Sequence, residues 1–331
     1  MTLTKTPAKG RIKLPAIVFA LTFILLSFVQ VKVERPMLMA ERFFAGSGWI
    51  EIFLIACYGG FVAWKMQDPQ NVPQWRKITW TIFSFIFFSQ LIIGLSGIEK
   101  FLMTGKLHLP IPMMIIGGPV YRGELSVMTI LFLSTVVLTG PAWCSHFCYF
   151  GAFDNLAAGS KRPSKGIIKN KGAIKSTILI LVIFMAILLR WLKVPALATT
   201  LIAVAFGLVG ITVMIIFSAR NNKMVHCAVY CPIGTVVNLT KHVNPFRMYI
   251  DKSCTLCMKC TMYCKYDALD ITDVKKGKPA LGCTLCGDCL AGCHHDSIKY
   301  KFAGLSPERA RNLYLILTIT LHASCIALAR I

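Results

Sequence analysis

The sequence predicts a mainly α-helical membrane bundle of six or seven spans, with a small cytoplasmic α+β domain near its C-terminus. Three observations lead to this fold class. Hydrophobic residues make up 56% of the 331 residues and charged residues only 15%, a balance typical of membrane proteins. Apolar stretches long enough to cross a bilayer recur along the chain. Eight of the fourteen cysteines form two matching runs near the C-terminus, which indicates a compact metal-binding domain.

Six apolar stretches are predicted transmembrane helices because of their length and scarcity of charge. They run approximately over 14–31, 48–64, 78–97, 125–142, 176–192 and 196–218. A seventh stretch, 313–329, is short and carries His322, so it is either a last span or a helix packed on the others. The first stretch has no small-residue cleavage site before Lys32, and we interpret it as an uncleaved anchor.

The basic residues predict how these spans are oriented. The formal net charge is +22, and lysine and arginine gather at the N-terminus, between spans two and three, and densely over 161–175. The other loops carry fewer, which is the positive-inside pattern. It predicts a multi-pass protein of a prokaryotic cytoplasmic (inner) membrane, with the N-terminus, the 143–175 segment and the C-terminal cysteine-rich domain in the cytoplasm. No basic and aromatic nucleic-acid module is present, so no nucleic-acid partner is expected.

Two runs near the C-terminus share the spacing C-x2-C-x2-C-x3-C. The first contains Cys254, Cys257, Cys260 and Cys264, and the second contains Cys283, Cys286, Cys289 and Cys293. This spacing lets three thiolates of one loop and a fourth from the other run surround a cubane cluster, so the runs predict two [4Fe-4S] clusters. By the crossed rule of two-cluster ferredoxins, cluster one is bound by Cys254, Cys257, Cys260 and Cys293, and cluster two by Cys283, Cys286, Cys289 and Cys264.

Zinc ribbons and disulfides are the alternative interpretations of these runs. A zinc ribbon needs only four ligands in two pairs, and disulfides do not arise as tandem runs in a reducing compartment. The cluster interpretation is therefore preferred. The proline that commonly follows the fourth cysteine is replaced by Lys265 and His294, which removes no ligand.

An internal repeat carries four further cysteines. Cys144 and Cys148 lie at the end of span four, and Cys227 and Cys231 follow span six in the same pattern, C-x3-C-x2-G-x3-N-L. Parallel repeats related by an axis along the membrane normal would bring the four cysteines together. A C-x3-C pair on a helix places both sulfurs on one face, and the glycine three residues later permits a tight turn.

The chemistry of these four cysteines stays open at this point. Four thiols at the membrane surface suit a further iron–sulfur cluster, another soft metal, or a dithiol and disulfide cycle. Cysteines also pack as small apolar residues between helices. His146 and His226 adjoin the pairs, where they either tune or protonate the cysteines or anchor the chain at the interface.

The chain resembles membrane iron–sulfur proteins of the NapH, NosR and CcoG/RdxA type over residues 78 to 300. Their mark is a multi-span segment with two C-x3-C-P motifs, followed by a ferredoxin domain with two [4Fe-4S] clusters. Cys227-x3-Cys231-Pro232 matches the motif, whereas Tyr149 stands in place of proline after Cys148. The resemblance implies a quinol dehydrogenase or electron-transfer subunit of a respiratory reductase, and in some members a role in metal delivery to oxidases.

These motifs divide the chain into four predicted segments. They are 1–77, an N-terminal two-span anchor; 78–244, duplicated two-span hairpins that each end in C-x3-C; 245–303, a bacterial-ferredoxin-like domain with two [4Fe-4S] clusters; and 304–331, a C-terminal helix or seventh span. No glycine-rich dinucleotide fingerprint or P-loop occurs, so nicotinamide or ATP chemistry would require a partner.

The cofactors expected are two [4Fe-4S] clusters, and the repeat cysteines are a candidate for a third metal or cluster site. No haem is expected, because the first six spans contain no histidine and no Cys-x-x-Cys-His motif occurs. Quinone or quinol is the expected substrate, and it needs an apolar slot with proton-exchanging groups. Glu51 at the outer end of span two and His108 in an unusually apolar loop are the candidates. Their alternatives are interfacial snorkelling and simple capping of the bundle.

We interpret the chain as a membrane-bound electron-transfer protein of the quinol dehydrogenase type. It would relay electrons between the membrane quinone pool and a protein redox partner of a respiratory or reductase complex. One alternative is a copper or metal reductase or oxidase-assembly factor that uses the membrane-face cysteines. A redox-sensing regulator is the other alternative, and the lack of a signalling output domain in this sequence weighs against it.

Overall fold

The structure is a computed structural model that describes residues 13–101, 111–125, 127–159, 164 and 166–328. Its helices are α1 (Lys13–Lys32), α2 (Met39–Phe43), α3 (Gly48–Met66), α4 (Val72–Leu95), α5 (Pro112–Arg122), α6 (Val127–Thr139), α7 (Tyr149–Ala157), α8 (Lys171–Trp191), α9 (Ala196–Val213), α10 (Ala219–Asn221), α11 (Pro232–Thr240), α12 (Lys259–Tyr263), α13 (Ile271–Lys275) and α14 (Pro307–Leu328). The strands are β1 (Arg247–Ile250) and β2 (Ile298–Lys301).

Seven helical segments among the described residues are long and apolar enough to cross a membrane. They are Lys13–Lys32, Gly48–Met66, Pro69–Leu95, Thr129–Phe147, Lys171–Trp191, Ala196–Asn221 and Pro307–Leu328. Each of the six predicted spans overlaps one of these segments, and the last segment covers most of the stretch that the sequence left open. The described chain is therefore mainly helical, and its helices fit a multi-pass membrane protein.

The chain forms two compact units. The first comprises residues 1–108 together with 305–331, and the second comprises 109–304. In the first unit, α1, α3 and α14 pack against one another. A Cβ at Gly59 of α3 would lie 3.3 to 3.4 Å from atoms of Val18, Thr22 and Ala323. Small residues at such crossings allow membrane helices to approach closely.

Polar contacts also join α14 to α3 within the first unit. Tyr58 Oη lies 3.1 Å from His322 Nε2, so the histidine of the last helix is hydrogen-bonded and buried. Arg311 donates to the carbonyl oxygens of Gln67 at 2.8 Å and Met66 at 2.9 Å. These carbonyls lie at the C-terminal end of α3, where helix geometry leaves oxygen atoms without partners.

In the second unit, α5 is a short helix lodged against longer ones. It packs on α8, α9 and α11, and Ile111 and Met113 share a buried cluster with Val182 and Ala203. At its other end, Tyr121 donates a hydrogen bond of 2.6 Å to the carbonyl of Val194. The described part of the unusually apolar loop is therefore a helix packed against two candidate spans.

Both C-x3-C pairs follow the same backbone path. The π-helical turns Trp143–Phe147 and His226–Tyr230 end at Cys148 and Cys231, which have extended backbone and cap α7 and α11. The expectation that each pair lies on one helical face is wrong. Each wide turn closes with a bond from the amide of the second cysteine, 3.0 Å to the Trp143 carbonyl and 2.8 Å to the His226 carbonyl, and the chain then leaves the helix.

The two tandem cysteine runs lie between β1 and β2. These strands pair antiparallel, with Arg247 opposite Lys301 and Ile250 opposite Ile298. Between them, α12 packs against the 3₁₀ turn Asp288–Gly292. The sheet therefore closes the ends of a segment that holds all eight cysteines of the runs.

Candidate iron–sulfur sites

A small hollow, hollow 1, lies among the loops between the two strands. Four cysteines line it: Cys254, Cys257, Cys260 and Cys293. Much of the remaining wall is apolar, from Ile250, Val274 and Ile298. Four thiols facing one largely apolar space form the donor set that a cubane cluster requires.

A second small hollow, hollow 2, repeats this arrangement. Its four cysteines are Cys264, Cys283, Cys286 and Cys289. Each hollow thus takes three cysteines from one run and the fourth from the other, which brings together the crossed sets expected from the spacing. The donor sets fit two [4Fe-4S] clusters, and the assignment of individual ligands stays a prediction.

The backbone of the two runs has the same shape. Left-handed φ angles occur at matching positions in both: Leu256 and Leu285, Met258 and Gly287, Asp267 and Asp296. Such residues turn successive backbone amides toward an enclosed anionic group. The fourth cysteine of each run accepts an amide hydrogen bond of 3.2 Å from the residue four positions later, at Ala268 and Ser297.

The residues that replace the two prolines have their own partners. Lys265 is buried and donates to the carbonyl of Asn222 at 3.0 Å, and its own carbonyl accepts from the Met224 amide at 2.9 Å. His294 Nε2 lies 3.0 Å from Lys259 Nζ. Lys265 therefore fastens the first run to the turn before the second C-x3-C pair, which no proline could do through a side chain.

The buried thiols need a cation to ionise. Burial raises the pKa of Cys264 to about 12 and that of Cys260 to about 11, and metal centres release the protons of such ligands when they bind. Within the described residues, no three His, Cys, Asp or Glu side chains are grouped closely enough to hold one metal ion. A cubane calls for wider spacing, because each cysteine sulfur binds a different iron.

The second candidate site, the repeat site, consists of Cys144, Cys148, Cys227 and Cys231. Cys231 interacts electrostatically with Cys144 and Cys148, and Cys227 interacts with the other three. None of the four is exposed. The structure thus gathers the cysteines of both repeat copies into one group.

Backbone amides converge on the second cysteine of each pair. The amides that face these sulfurs are those of Phe150 and Gly151 for Cys148, and those of Ile233 and Gly234 for Cys231. Neither cysteine side chain forms a capping hydrogen bond with its helix. Both glycines lie inside helices rather than in the tight turns that the sequence suggested. The first turn of each helix therefore presents its positive end to a sulfur.

Asp154 fastens the turn that carries Cys227, although sequence reasoning missed it. The side chain is completely buried in α7. Its Oδ1 accepts from Ser218 Oγ at 2.6 Å, and its Oδ2 accepts from the Cys227 amide at 2.9 Å. Burial raises the pKa of Asp154, and the hydrogen bonds act in the opposite direction. Burial has the larger effect, so the pKa is raised to about 6. The equivalent residue of the second copy is Val237, so this departure from the repeat was the available signal.

Two buried lysines lie near the repeat site, and the sequence did not indicate either of them as a site residue. Lys175, near the start of α8, donates from Nζ to the Cys227 carbonyl at 2.9 Å. Lys241, just after α11, donates to the Leu281 carbonyl at 2.6 Å and interacts electrostatically with Cys283 and Cys144. Burial lowers the pKa of Lys241. In the sequence, these lysines look like ordinary members of basic segments at span ends.

Direct contacts join the repeat site to hollow 2. Tyr266 Oη donates to the Cys144 carbonyl at 2.6 Å, and Ser145 Oγ donates to the Thr284 carbonyl at 3.3 Å. Tyr266 and Thr284 both line hollow 2. Cys289 of hollow 2 interacts electrostatically with Cys260 of hollow 1. Hollow 1, hollow 2 and the repeat site therefore follow one another in this order.

A buried carboxylate, Asp267, holds three segments around hollow 2. It forms ion pairs with Lys171 at 2.8 Å and with Lys223, and its Oδ2 accepts from the Ile168 amide at 3.0 Å. Burial alone would raise the pKa of Asp267, but the hydrogen bonds from the two lysines and the amide outweigh it and the pKa is lowered.

The two histidines beside the repeat cysteines are buried rather than interfacial. His146 Nδ1 lies 2.9 Å from Ser145 Oγ. His226 packs between Gly210, Phe150 and Tyr230. Burial lowers the pKa of His226 to about 4, so its ring is neutral at physiological pH.

Of the two residues predicted to exchange protons with a quinone, the structure describes only Glu51. Glu51 lies in the first turn of α3, where its Oε2 accepts from the Ala40 amide at 2.7 Å near the start of α2. This contact gives Glu51 a structural task, and its role in proton exchange stays a prediction. His108 lies outside the described residues, shortly before α5 begins.

The chain matches a family model described as a 4Fe-4S binding domain, over residues 123–167 and again over residues 200–245. Each matched segment contains one C-x3-C pair and the helix that follows it, whereas the tandem runs lie outside both segments. No curated protein and no solved structure matches the chain. The match supports an iron–sulfur cluster in this chain and, with it, a role in electron transfer.

Proposed function

We propose that this chain is a membrane electron-transfer protein that binds three [4Fe-4S] clusters and relays electrons between the quinone pool and a protein redox partner. Hollow 1, hollow 2 and the repeat site each supply four cysteines for one cluster. A bound cluster supplies a one-electron store, whose potential depends on surrounding charge and hydrogen bonds. The observation that carries the proposal is the series of three four-cysteine groups within one compact unit.

Residues of each cysteine group contact residues of the next group. Helix α12, which carries Cys260, packs against the turn Asp288–Gly292, which carries Cys289. Tyr266 reaches from the wall of hollow 2 to the backbone of Cys144. Lys241 interacts with a cysteine of each of these last two sites. These contacts are the proposed route for an electron between neighbouring sites.

A quinone is the proposed membrane partner. The repeat site begins where candidate spans end, since Cys144 belongs to Thr129–Phe147 and Cys227 follows Ala196–Asn221. The helix capped by Cys231 packs on α5, which is itself lodged against α8 and α9. Apolar surroundings of this kind suit a quinone ring, and the resemblance to NapH-type proteins favours the same substrate. His108 and Glu51 are proposed as proton-exchange groups on the sequence argument alone, separately from the contacts around the repeat site.

We place the N-terminus and the tandem runs in the cytoplasm of a prokaryotic cell. The support is the distribution of lysine and arginine, which is densest over 161–175, shortly after the first C-x3-C pair in the sequence. This orientation puts the three cysteine groups in a compartment where thiols stay reduced. The partner would then take or give electrons at hollow 1, the group furthest along the series from the repeat site.

The test is reduction of the cluster absorbance by quinol in anaerobic membranes. We expect quinol to reduce the clusters in the parent protein, and Cys227→Ser to abolish this while dithionite still reduces the remaining clusters. The matched control is Cys57→Ser, a cysteine of α3 in the other unit, which should leave quinol reduction unchanged. Equal quinol reduction in Cys227→Ser and in the parent would contradict a relay through the repeat site.

A further inference from the structure

Lys175 is buried at the repeat site although it belongs to the most basic part of the chain. Its relative exposure is 7%, and its ammonium donates to the Cys227 carbonyl. Its backbone is held as well, because its carbonyl accepts from Thr235 Oγ1 at 3.2 Å. A lysine buried to this extent is uncommon and calls for a compensating negative group nearby.

A glycine makes room for this lysine. A Cβ at Gly234 would lie 2.8 Å from Lys175 Cε and 3.3 Å from the Cys227 carbonyl oxygen. Any other residue at 234 would therefore push the ammonium away from the cysteines. Because Gly234 lies inside α11 with ordinary helical backbone, room for the lysine is the physical reason for glycine at this position.

The charged groups around the repeat site differ in sign. Lys175 interacts electrostatically with Cys144 and Cys231, and Lys241 approaches Cys144 as well. The carboxylate of Asp154 carries the opposite charge to these lysines and interacts with Cys227 and Cys231. Lys175 differs from Lys241 in that its ammonium binds the backbone of a repeat cysteine directly.

We propose that Lys175 is a positioning residue that raises the reduction potential of the cluster bound at the repeat site, and that Gly234 permits its approach. This inference rests on the proposed function. A cubane with four thiolates is negatively charged and gains a further negative charge on reduction, so a buried cation stabilises the reduced form more. The lysine therefore makes the repeat site a better acceptor for electrons arriving from the membrane.

The experiment is an EPR-monitored redox titration of the purified full-length protein with its clusters. Lys175→Met should lower the midpoint potential of one cluster by about 59 mV or more, which is a tenfold change in a one-electron equilibrium. The other two clusters should keep their potentials. The matched control is Lys169→Met, which removes an exposed lysine close in sequence and should change none of the three.

Two further variants separate charge from structure. Lys175→Arg keeps the positive charge and should retain most of the potential. Gly234→Ala keeps the lysine but displaces its ammonium, and it should lower the same potential by less than Lys175→Met. If Lys175→Met loses the cluster, the Gly234→Ala titration decides whether the ammonium of Lys175 affects the midpoint potential. Unchanged potentials, an equal fall in Lys175→Arg, or loss of the cluster in both Lys175→Met and Gly234→Ala would overturn the inference.

Iron analysis separates this inference from the function on which it rests. If Cys227→Ser keeps all the iron of the parent protein, the repeat site binds no cluster and the proposed function fails. If Cys227→Ser loses iron but Lys175→Met shifts no potential, only the role of Lys175 fails.

Discussion

The tandem runs and the repeat site reach similar sets of four cysteines by different routes. In the runs, closely spaced cysteines and left-handed residues at matching positions shape each loop locally. In the repeat site, the two pairs are far apart in sequence and meet through tertiary contacts. Helices α7 and α8 pack on the turn His226–Tyr230, and α11 packs on the turn Trp143–Phe147. Asp154 and Lys175 both hydrogen-bond to the backbone of Cys227, each at 2.9 Å. Local spacing therefore specifies hollows 1 and 2, whereas tertiary contacts specify the repeat site.

The largest expected effect tests the local side of this comparison. Cys289→Ser removes a buried sulfur of hollow 2, and the harder serine oxygen is a poor ligand for iron in such clusters. We expect the loss of about four iron atoms per chain, measured as iron and acid-labile sulfide after anaerobic purification. Cys325→Ser, a cysteine of α14 outside all three sites, should keep the full content. Full iron content in Cys289→Ser would contradict the assignment.

Asp267→Asn should have the next largest effect, because it leaves two lysines beside hollow 2 without their carboxylate. Breaking a buried ion pair in this way costs about 3 kcal/mol of the free energy of unfolding. Thermal unfolding in detergent, followed by loss of cluster absorbance, measures it. Because the pKa of Asp267 is lowered, its contribution is present at neutral pH and disappears as the pH falls through that lowered value.

A matched variant, Asp251→Asn, tests whether burial causes this effect. Asp251 pairs with Lys299 at 2.8 Å, as Asp267 pairs with Lys171, but its side chain is 38% exposed against 4% for Asp267. Exposed pairs contribute about 0.5 kcal/mol. Equal destabilisation by the two variants would show that the ion pairs at Asp267 do not depend on burial for their strength.

Asp154→Asn probes the tertiary side of the comparison. The amide keeps one acceptor oxygen, so either Ser218 or the Cys227 amide loses its carboxylate partner. We expect a loss of about 2 kcal/mol in stability, and a lower occupancy of the repeat site with full occupancy of the two hollows. Ser218→Ala removes a single partner of the same carboxylate and should cost about 1 kcal/mol. Iron lost from the hollows instead would contradict this assignment.

Tyr266→Phe should have the smallest effect, because it removes one hydroxyl between hollow 2 and the repeat site. A single hydrogen bond contributes about 1 kcal/mol to stability. Cluster content should stay complete, while the rate of electron exchange between the repeat site and hollow 2 should fall, as measured by flash reduction. An unchanged rate would remove Tyr266 from the path.

The sequence predicts the parts of this molecule that depend on local pattern. Apolar length predicts six of the seven candidate spans among the described residues, and the spacing of the runs predicts which cysteines share a hollow. The backbone at the C-x3-C pairs is harder to predict from the sequence, because the spacing of the cysteines does not indicate a π-helical turn or an extended second cysteine. The sequence also does not distinguish Lys175 and Asp154 from other charged residues. Their importance comes from burial beside distant cysteines, and a sequence shows charge but not burial.

The most direct test of the account is the iron and acid-labile sulfide content of the anaerobically purified chain, compared with Cys227→Ser. Three clusters predict about twelve iron atoms per chain, falling to about eight in the variant, with the EPR signals of the hollow clusters unchanged. About eight iron atoms in both proteins would contradict a third cluster at the repeat site and reduce the series to the two hollows.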